Sequence, residues 1–163
     1  MATLANHSWK PSAARRLTMT GFEPRPRGSN PLPPAGSVVA WPPKDPADVL
    51  DYTFDISPAL WGDDGDSISY LDVTITPELS GDLTLNASSV DGQQVILWLG
   101  AGQSGTTYSV TIALSTVAGR SFQRTLYLPC VSLSATPPLG TELVTESGSA
   151  ILDATGQPIF IES

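Results

Sequence analysis

The strongest constraint on the fold is a strict alternation of apolar and polar side chains that begins near residue 49. In VLDYTFDI, residues 49–56, Leu50, Tyr52 and Phe54 alternate with aspartate and threonine, which is typical of a strand with one buried face. Five more segments repeat the pattern: ISYLDVTI (68–75), DLTLNA (82–87), QQVILWL (93–99), TYSVTIALS (107–115) and SFQRTLYL (121–128). Only in the last does a charged residue, Arg124, interrupt the apolar face.

Turn-forming clusters separate these segments. WGDDGD, ELSGD, SSVDG, GAGQSG and TVAGR are rich in the glycine, aspartate and serine that tight turns require. After the first segment, strand starts recur every 11 to 14 residues, and no convincing helical pattern lies between them. The sequence therefore predicts an all-β fold, an antiparallel immunoglobulin-like β-sandwich over residues 45–130.

The N-terminal segment, residues 1–44, differs from this body in charge and in proline content. It carries six basic residues and one acidic residue, a net charge of +5, whereas residues 45–163 carry −13. Nine of the 15 prolines lie within the first 46 residues, and proline removes a backbone donor and favours extended geometry.

We therefore expect an extended, basic docking arm that does not fold by itself and that adheres to a neighbouring subunit. The alternative is a plain disordered tail. At the junction of arm and body, Trp41–Pro46 is interpreted as a stiff hinge that aims the arm away from the first strand, with Trp41 packed at the end of the domain. The candidate partner-binding residues of the arm are its spaced aromatic and arginine side chains: Trp9, Arg15, Arg16, Phe22, Arg25, Arg27 and Trp41.

The C-terminal segment, residues 131–163, begins as a linker and ends in a short repeat. ELVTESGS, AILDATGQ and PIFIES align at a period of eight, each reading as a short strand followed by a turn. Two and a half units are too few for a core of their own, so the tail is expected to order on a partner or on copies of itself. A frayed terminus is the alternative. Its candidate contact residues are the aligned apolar ones: Leu143, Ile151, Ile159 and Phe160.

No catalytic set is recognisable, and no enzyme activity or cofactor is predicted. The single histidine, His7, lies in the arm, and Cys130 has no histidine in the body to activate it. Asp63, Asp64 and Asp66 fit an ordinary turn, with calcium binding as the alternative, so no metal site is predicted. Acidic residues on the polar side of the strands are expected to face solvent: Asp51, Asp55 and Asp72.

Membrane and nucleic-acid partners are not expected. No apolar run approaches the roughly 18 residues of a membrane helix. The arginines of the arm could neutralise phosphates, but the acidic body would be repelled by the same polyanion. An acidic protein surface is the better match for the arm.

The run WPPKDPADVLDYTFDIS, followed by GDSIS and by VILWLGAGQSGTTYSVTIALSTVAGRSFQRTLYL, resembles the small fiber-tail adaptor proteins of tailed bacteriophages over residues 41–129. The most specific part of the resemblance is KDPxxVLDY, formed by Lys44, Asp45, Pro46, Val49, Leu50, Asp51 and Tyr52. The remaining matches are Trp41, Gly65, Asp66, Ile68, Trp98, Leu99, Gly105, Thr106, Tyr108, Val110, Thr111, Gly119 and Arg120.

The resemblance implies a non-enzymatic structural virion protein at the neck or tail, made in the cytoplasm of a bacterial host and present in several copies. It would bridge the tail tube, or a portal or connector ring, to tail fibers. Two alternatives remain open: a capsid decoration protein, and a carbohydrate-binding or host-surface module that uses Trp61, Trp98 or Tyr108 as a stacking platform.

Overall fold

The computed structural model describes residues 9–22 and 38–134 in full, and the backbone of residues 141–142 and 160–161. The chain divides into two compact units, Met1–Leu133 and Ser134–Ser163. Each unit is considered by itself below.

The first unit contains seven strands in two sheets. They are β1 (Arg16–Thr18), β2 (Leu50–Asp55), β3 (Ile68–Thr76), β4 (Leu83–Asp91), β5 (Gln94–Ala101), β6 (Thr106–Thr116) and β7 (Ser121–Cys130). One sheet has the order β1-β2-β5-β4 and the other β3-β6-β7. All neighbours are antiparallel except β1, which runs parallel to β2. Two short 3₁₀ turns, Ala13–Arg15 and Ser57–Leu60, are the helical elements of the described residues.

The core is built from the side chains that alternation assigned to the buried face. From the first sheet these are the apolar residues of β2 and β5, and from the second those of β6 and β7. Fully buried members of both sheets include Tyr52, Phe54, Leu97, Leu99, Tyr108, Val110, Ile112, Leu126 and Leu128. On β3 and β4 the apolar residues are mostly half-buried, so the core is thinner on that side.

Two further segments cover the edges on the other side of the unit. Strand β1 occupies the free edge of β2. Residues 38–44 run along the free edge of β7, with bridges between Ala40 and Tyr127 and between Lys44 and Cys130. Edge strands expose unpaired backbone groups, and these two additions pair part of each edge.

The all-β class predicted from the alternation is confirmed by this architecture, and all six predicted strands are present. Immunoglobulin-like connectivity remains a prediction, as do the domain boundaries at residues 44 and 130. In the part of the chain that the structure describes, no helix has the length and apolarity to cross a membrane.

The second unit contains a two-stranded antiparallel sheet of β8 (Thr141–Glu142) and β9 (Phe160–Ile161). Thr141 pairs with Ile161 and Glu142 with Phe160. Three predicted contact residues, Leu143, Ile151 and Ile159, lie outside the described residues, and Phe160 is placed by its backbone alone. The eight-residue repeat therefore stays a prediction.

Candidate partner-binding site: the docked arm and its slot

Residues 9–22, which we call the docked arm, lie against the first sheet. Their central strand, β1, adds to β2 in parallel, with Arg16 opposite Thr53 and Thr18 opposite Asp55. The Met19 amide continues the pairing by donating to the carbonyl of Asp55 at 2.8 Å. Residues 12–22 contain no proline, so their backbone donors are available for pairing with a sheet edge. The expectation that the arm does not fold is wrong for this stretch.

The surface that receives the docked arm, which we call the slot, is the edge and outer face of β2 together with Trp98 of β5. Its two charged groups are Asp51, 5% exposed, and Asp55, 3% exposed. Asp51 accepts from the Ser12 amide at 2.6 Å and from the Arg15 guanidinium at 2.5 Å. Arg15 also donates to the Asp51 carbonyl at 2.7 Å, so it binds both the side chain and the backbone of Asp51.

The second pair, Arg16 with Asp55, lies four residues further along β2, on the same face of the strand. The Asp55 carboxylate also accepts from the amide of Ser57 at 2.9 Å. In addition, the Arg15 guanidinium lies 5.9 Å from the centre of the Tyr52 ring, within range of a cation–π interaction. Charge-assisted hydrogen bonds of this kind are the stronger ones in proteins.

Both carboxylates hold their charge because of these contacts. Burial acts to raise the pKa of Asp51, but hydrogen bonds from Ser12 and Arg15 outweigh it and hold that pKa below its usual value. Burial likewise acts to raise the pKa of Asp55. Hydrogen bonds from Arg16 and Ser57 outweigh burial and hold that pKa below its usual value as well. An empty slot would leave two ionised carboxylates without their arginine partners.

Apolar contacts hold both ends of the docked arm. The ring of Trp9 lies 5.5 Å from that of Trp98 on β5. Phe22 meets Phe122 of β7 edge-on, with ring centres 6.2 Å apart. Between them, Met19 is buried in the core. The arm therefore reaches from the outer face of the first sheet to a strand of the second.

The arm does not fill the surface completely. A cavity of about 240 Å³ lies between Lys10–Ala13, Arg16, Thr53 and Gln94. The buried Thr53 hydroxyl has no hydrogen-bond partner among the described residues. Packing here is looser than at Met19.

This placement corrects the expectation for two aspartates. Asp51 and Asp55 were predicted to face solvent with Asp72; Asp72 does, but the other two are buried under the arm. Alternation correctly assigned them to the outer face of β2. What it missed is that the outer face is itself covered, a possibility signalled by two adjacent arginines in the arm and two aspartates on one strand face.

Of the predicted arm residues, Trp9, Arg15, Arg16 and Phe22 all contact the chain's own body. Arg25 and Arg27, like His7, lie outside the described residues. Whether any of them binds another protein stays a prediction.

Residues 41–46 do not act as a hinge that points away from the body. Trp41 is 2% exposed, packs edge-on against Tyr52 at 5.3 Å and directs its indole nitrogen toward the Thr53 carbonyl at 3.4 Å. Trp41 was predicted to pack at the end of the domain, whereas it lies in the core; its partner-binding role stays a prediction. Its amide donates to the carbonyl of Tyr127, so this residue ties β2 to β7.

Lys44, the first residue of the KDPxxVLDY motif, is also buried. Its ammonium donates to the carbonyls of Asp45 and Ala101, each at 2.7 Å. Burial lowers its pKa, against opposing effects of Cys130, Asp48 and Asp45. The next residue of the motif, Asp45, accepts from the amides of Ala47 and Leu133. Asp45 therefore connects the start of the body to the segment that follows β7.

Two carboxylates of the acidic turn Asp63–Asp66 are paired with an arginine. Arg120 donates to Asp63 at 2.9 Å and to Asp66 at 2.5 Å, and Asp66 also accepts from the Ala118 amide. No metal-binding cluster of carboxylate, histidine or cysteine side chains occurs among the described residues. The turn thus joins the β2–β3 connection to the β6–β7 hairpin.

The aromatic side chains considered as a stacking platform are dispersed. Tyr108 is buried, where its hydroxyl donates to Asp82 and accepts from the Gln103 amide, each at 2.8 Å. Trp98 is covered by Trp9. Trp61 is 73% exposed and contacts no other aromatic ring among the described residues, so no aromatic groove forms from these three.

The side of the unit opposite the arm is open. Strand β4 is the other edge of the sheet that begins with β1. A groove of about 670 Å³ runs between β3 and β4, lined by residues such as Val73, Ile75, Leu83 and Leu85. Leu79 is exposed beside it.

Comparison with known proteins concerns the body of this unit. No curated protein matches the chain. A family match covers residues 44–129, more than half of the chain, and its description is podophage GP4 fiber-tail adaptor protein gp77. The match begins at Lys44, ends at Pro129 and includes β2 to β7, the strands that enclose the core. The chain belongs to this family of phage fiber-tail adaptor proteins.

Proposed function

We propose that this chain is a structural protein at the neck or tail of a tailed phage particle, where it bridges the tail tube or a connector ring to the tail fibers. The observation that carries the proposal is the family match over residues 44–129. The family is one of structural adaptors, which accords with a chain whose buried charged groups Asp51, Asp55, Asp66 and Lys44 make structural contacts. The finer elements of the proposal, its address and its two partners, rest on this membership.

An adaptor must contact two partners at once. Strands β1 and β4 lie at opposite edges of one sheet, so a partner at either edge leaves the other accessible. The two edges also differ in character: the first carries the basic docked arm, and the second borders an apolar groove. This arrangement is compatible with two different neighbours, and an immunoglobulin-like sandwich would serve as the rigid body between them.

Bridging can be tested with purified components. Tail or connector protein is immobilised, and fiber protein is added with and without this chain. We expect fiber to be retained only when the chain is present. Retention without it, or failure of the chain to bind either component, would contradict the proposal.

The address on the particle is tested by cryo-electron microscopy of intact virions with the chain traced in the density. Density between the tail and the bases of the fibers is expected. Copies distributed over the capsid shell would instead identify a decoration protein, and absence from the particle would remove the structural function altogether.

A further inference from the structure

We propose that the slot is a self-association site, in which the docked arm of one copy occupies the slot of a second copy. The inference deepens the proposed function. It rests on that function because a virion would bring copies of the chain side by side. It names a partner that the family description does not: another molecule of this chain.

The first argument is that the docked arm behaves as a ligand of the body. All its contacts, from Trp9 on Trp98 to Phe22 on Phe122, are made by side chains and edge hydrogen bonds, and none requires arm and body to belong to one molecule. Addition of an extended segment to a sheet edge is a common mode of recognition between separate chains. A second copy presents the same segment with the same contacts.

The second argument is the length of the connection between arm and body. Phe22 contacts Phe122 of β7, and Val39 is bonded to Tyr127 of the same strand. These two points are five residues apart, about 17 Å along a strand. The 16 residues 23–38 that join Phe22 to Val39 could span about 50 Å. Connections in compact domains usually have about 4–6 residues. The chain between arm and body is long enough to reach a neighbour.

The third argument is charge. The segment before residue 45 carries +5 and the remainder −13, so two bodies in contact repel one another unless positive charge lies between them. Arg15 and Arg16 supply that charge at Asp51 and Asp55. Because vacating the slot leaves these carboxylates unpaired, an arm that leaves its own body must be replaced by another. Exchange satisfies every slot, whereas release does not.

The test distinguishes docking within one copy from docking between copies. The variant Arg16→Lys places an amine at position 16 beside Asp55, and a carbodiimide joins the two groups as an amide. Arg16 is 45% exposed, so this substitution is not expected to disturb folding. Equal amounts of protein with natural nitrogen and with a heavy nitrogen isotope are unfolded together, refolded, concentrated and cross-linked.

Cross-linked peptide pairs are then sorted by mass. If arms exchange freely, we expect about half of the pairs to combine a light arm with a heavy slot or the reverse. Pairs drawn only from single copies would overturn the inference. The matched control combines Arg16→Lys with Asp55→Asn and is expected to lose this cross-link.

The outcome is independent of the bridging experiment. Mixed pairs from a chain that fails to retain fiber would refute the proposed function and leave arm exchange standing. Fiber retention by a chain that gives only single-copy pairs would support the proposed function and refute arm exchange.

Discussion

At the scale of single residues, the most informative positions are polar groups that are buried on an outer strand face. Asp51 lies under the docked arm with three donors around it: the Ser12 amide and two nitrogens of Arg15, one of which binds its carbonyl. A hydrogen bond to a charged group contributes more than a neutral one. The energy of arm docking is therefore concentrated in few side chains.

We expect Asp51→Asn to lower the free energy of unfolding by about 1–2 kcal/mol, because the amide keeps the shape of the carboxylate but loses its charge. Urea denaturation measures the change. The control is Asp72→Asn at an exposed position of β3, expected to stay within about 0.5 kcal/mol. Equal effects of the two substitutions would mean that Asp51 is not paired as described.

Tyr52 presents the opposite case, a buried polar atom without a partner among the described residues. Burial raises its pKa to about 12. We expect Tyr52→Phe to leave stability unchanged or to raise it by up to about 1 kcal/mol, since a desolvated, unpaired hydroxyl is removed. Tyr108→Phe is the matched control and should cost about 1–2 kcal/mol, because that hydroxyl binds Asp82 and Gln103. A clear loss of stability in Tyr52→Phe would point to a partner for its hydroxyl.

Gly102, in the turn between β5 and β6, has two reasons to be glycine. Its φ is +104°, and a Cβ would lie 2.9 Å from the Cys130 sulfur. Gly105, in the same turn, has φ +84° but open space around it. We expect Gly105→Ala to cost about 1 kcal/mol from backbone strain alone, and Gly102→Ala to cost about 1–3 kcal/mol more from the close contact. Thermal unfolding compares them; equal shifts would show that Cys130 moves aside freely.

At the scale of elements, β1 is unusual because it is short, parallel to its neighbour and paired with a strand that is distant in the chain. The other six strands of the first unit are joined in series and share one core. Such an element is expected to dock and leave as a unit, since local stability varies across a fold.

Removal of residues 1–22 is expected to lower the free energy of unfolding by about 2–4 kcal/mol, chiefly through loss of the buried Met19 and of two charge-assisted pairs. Addition of a synthetic peptide of residues 9–22 should restore stability, as measured by thermal unfolding at increasing peptide concentration.

The control peptide carries Arg15→Glu and Arg16→Glu and should not restore stability. Binding of the native peptide should weaken with added salt, because exposed parts of ion pairs are screened over about 10 Å at 0.1 M ionic strength. A salt-independent peptide affinity would assign docking to Trp9 and Phe22 instead.

At the scale of the whole molecule, stability depends on carboxylates that are held ionised. The pKa values of Asp51, Asp55 and Asp66 lie below the ordinary value because hydrogen bonds outweigh burial at each. A group whose pKa is lower in the folded state stabilises that state above its unfolded pKa, and the contribution is lost as pH falls through the folded pKa. The fold should hold at neutral pH and lose stability in acid.

We therefore expect the free energy of unfolding to fall steeply below about pH 4, near the unfolded pKa of aspartate. Urea denaturation at a series of pH values gives the curve. The double variant Asp51→Asn with Asp55→Asn should be less stable at neutral pH and show a shallower acid slope. An unchanged slope would mean that other carboxylates control acid unfolding.

The sequence predicted the strands of the body more accurately than the structure of the arm. Alternation located all six strands of the body, because a strand with one buried face repeats every two residues regardless of its neighbours. It assigned Tyr52, Phe54, Val95 and Leu97 to the core correctly. It was wrong about Asp51 and Asp55, because nothing local distinguishes an outer face open to water from one covered by a distant segment. Proline density predicted an arm without helix or strand and obscured the proline-free stretch that forms β1.

The sequence by itself determined the all-β class, the strands and turns of the body, the opposite charges of the two parts and the family, because each is a matter of local pattern or of residues in fixed order. Only the tertiary structure decided that the arm docks on β2, that Trp41 and Lys44 are buried rather than part of a hinge, and that Arg120 pairs with Asp63 and Asp66 of the acidic turn. These contacts join residues far apart in the chain, and their energy comes from burial and pairing that exist only once the two sheets are packed.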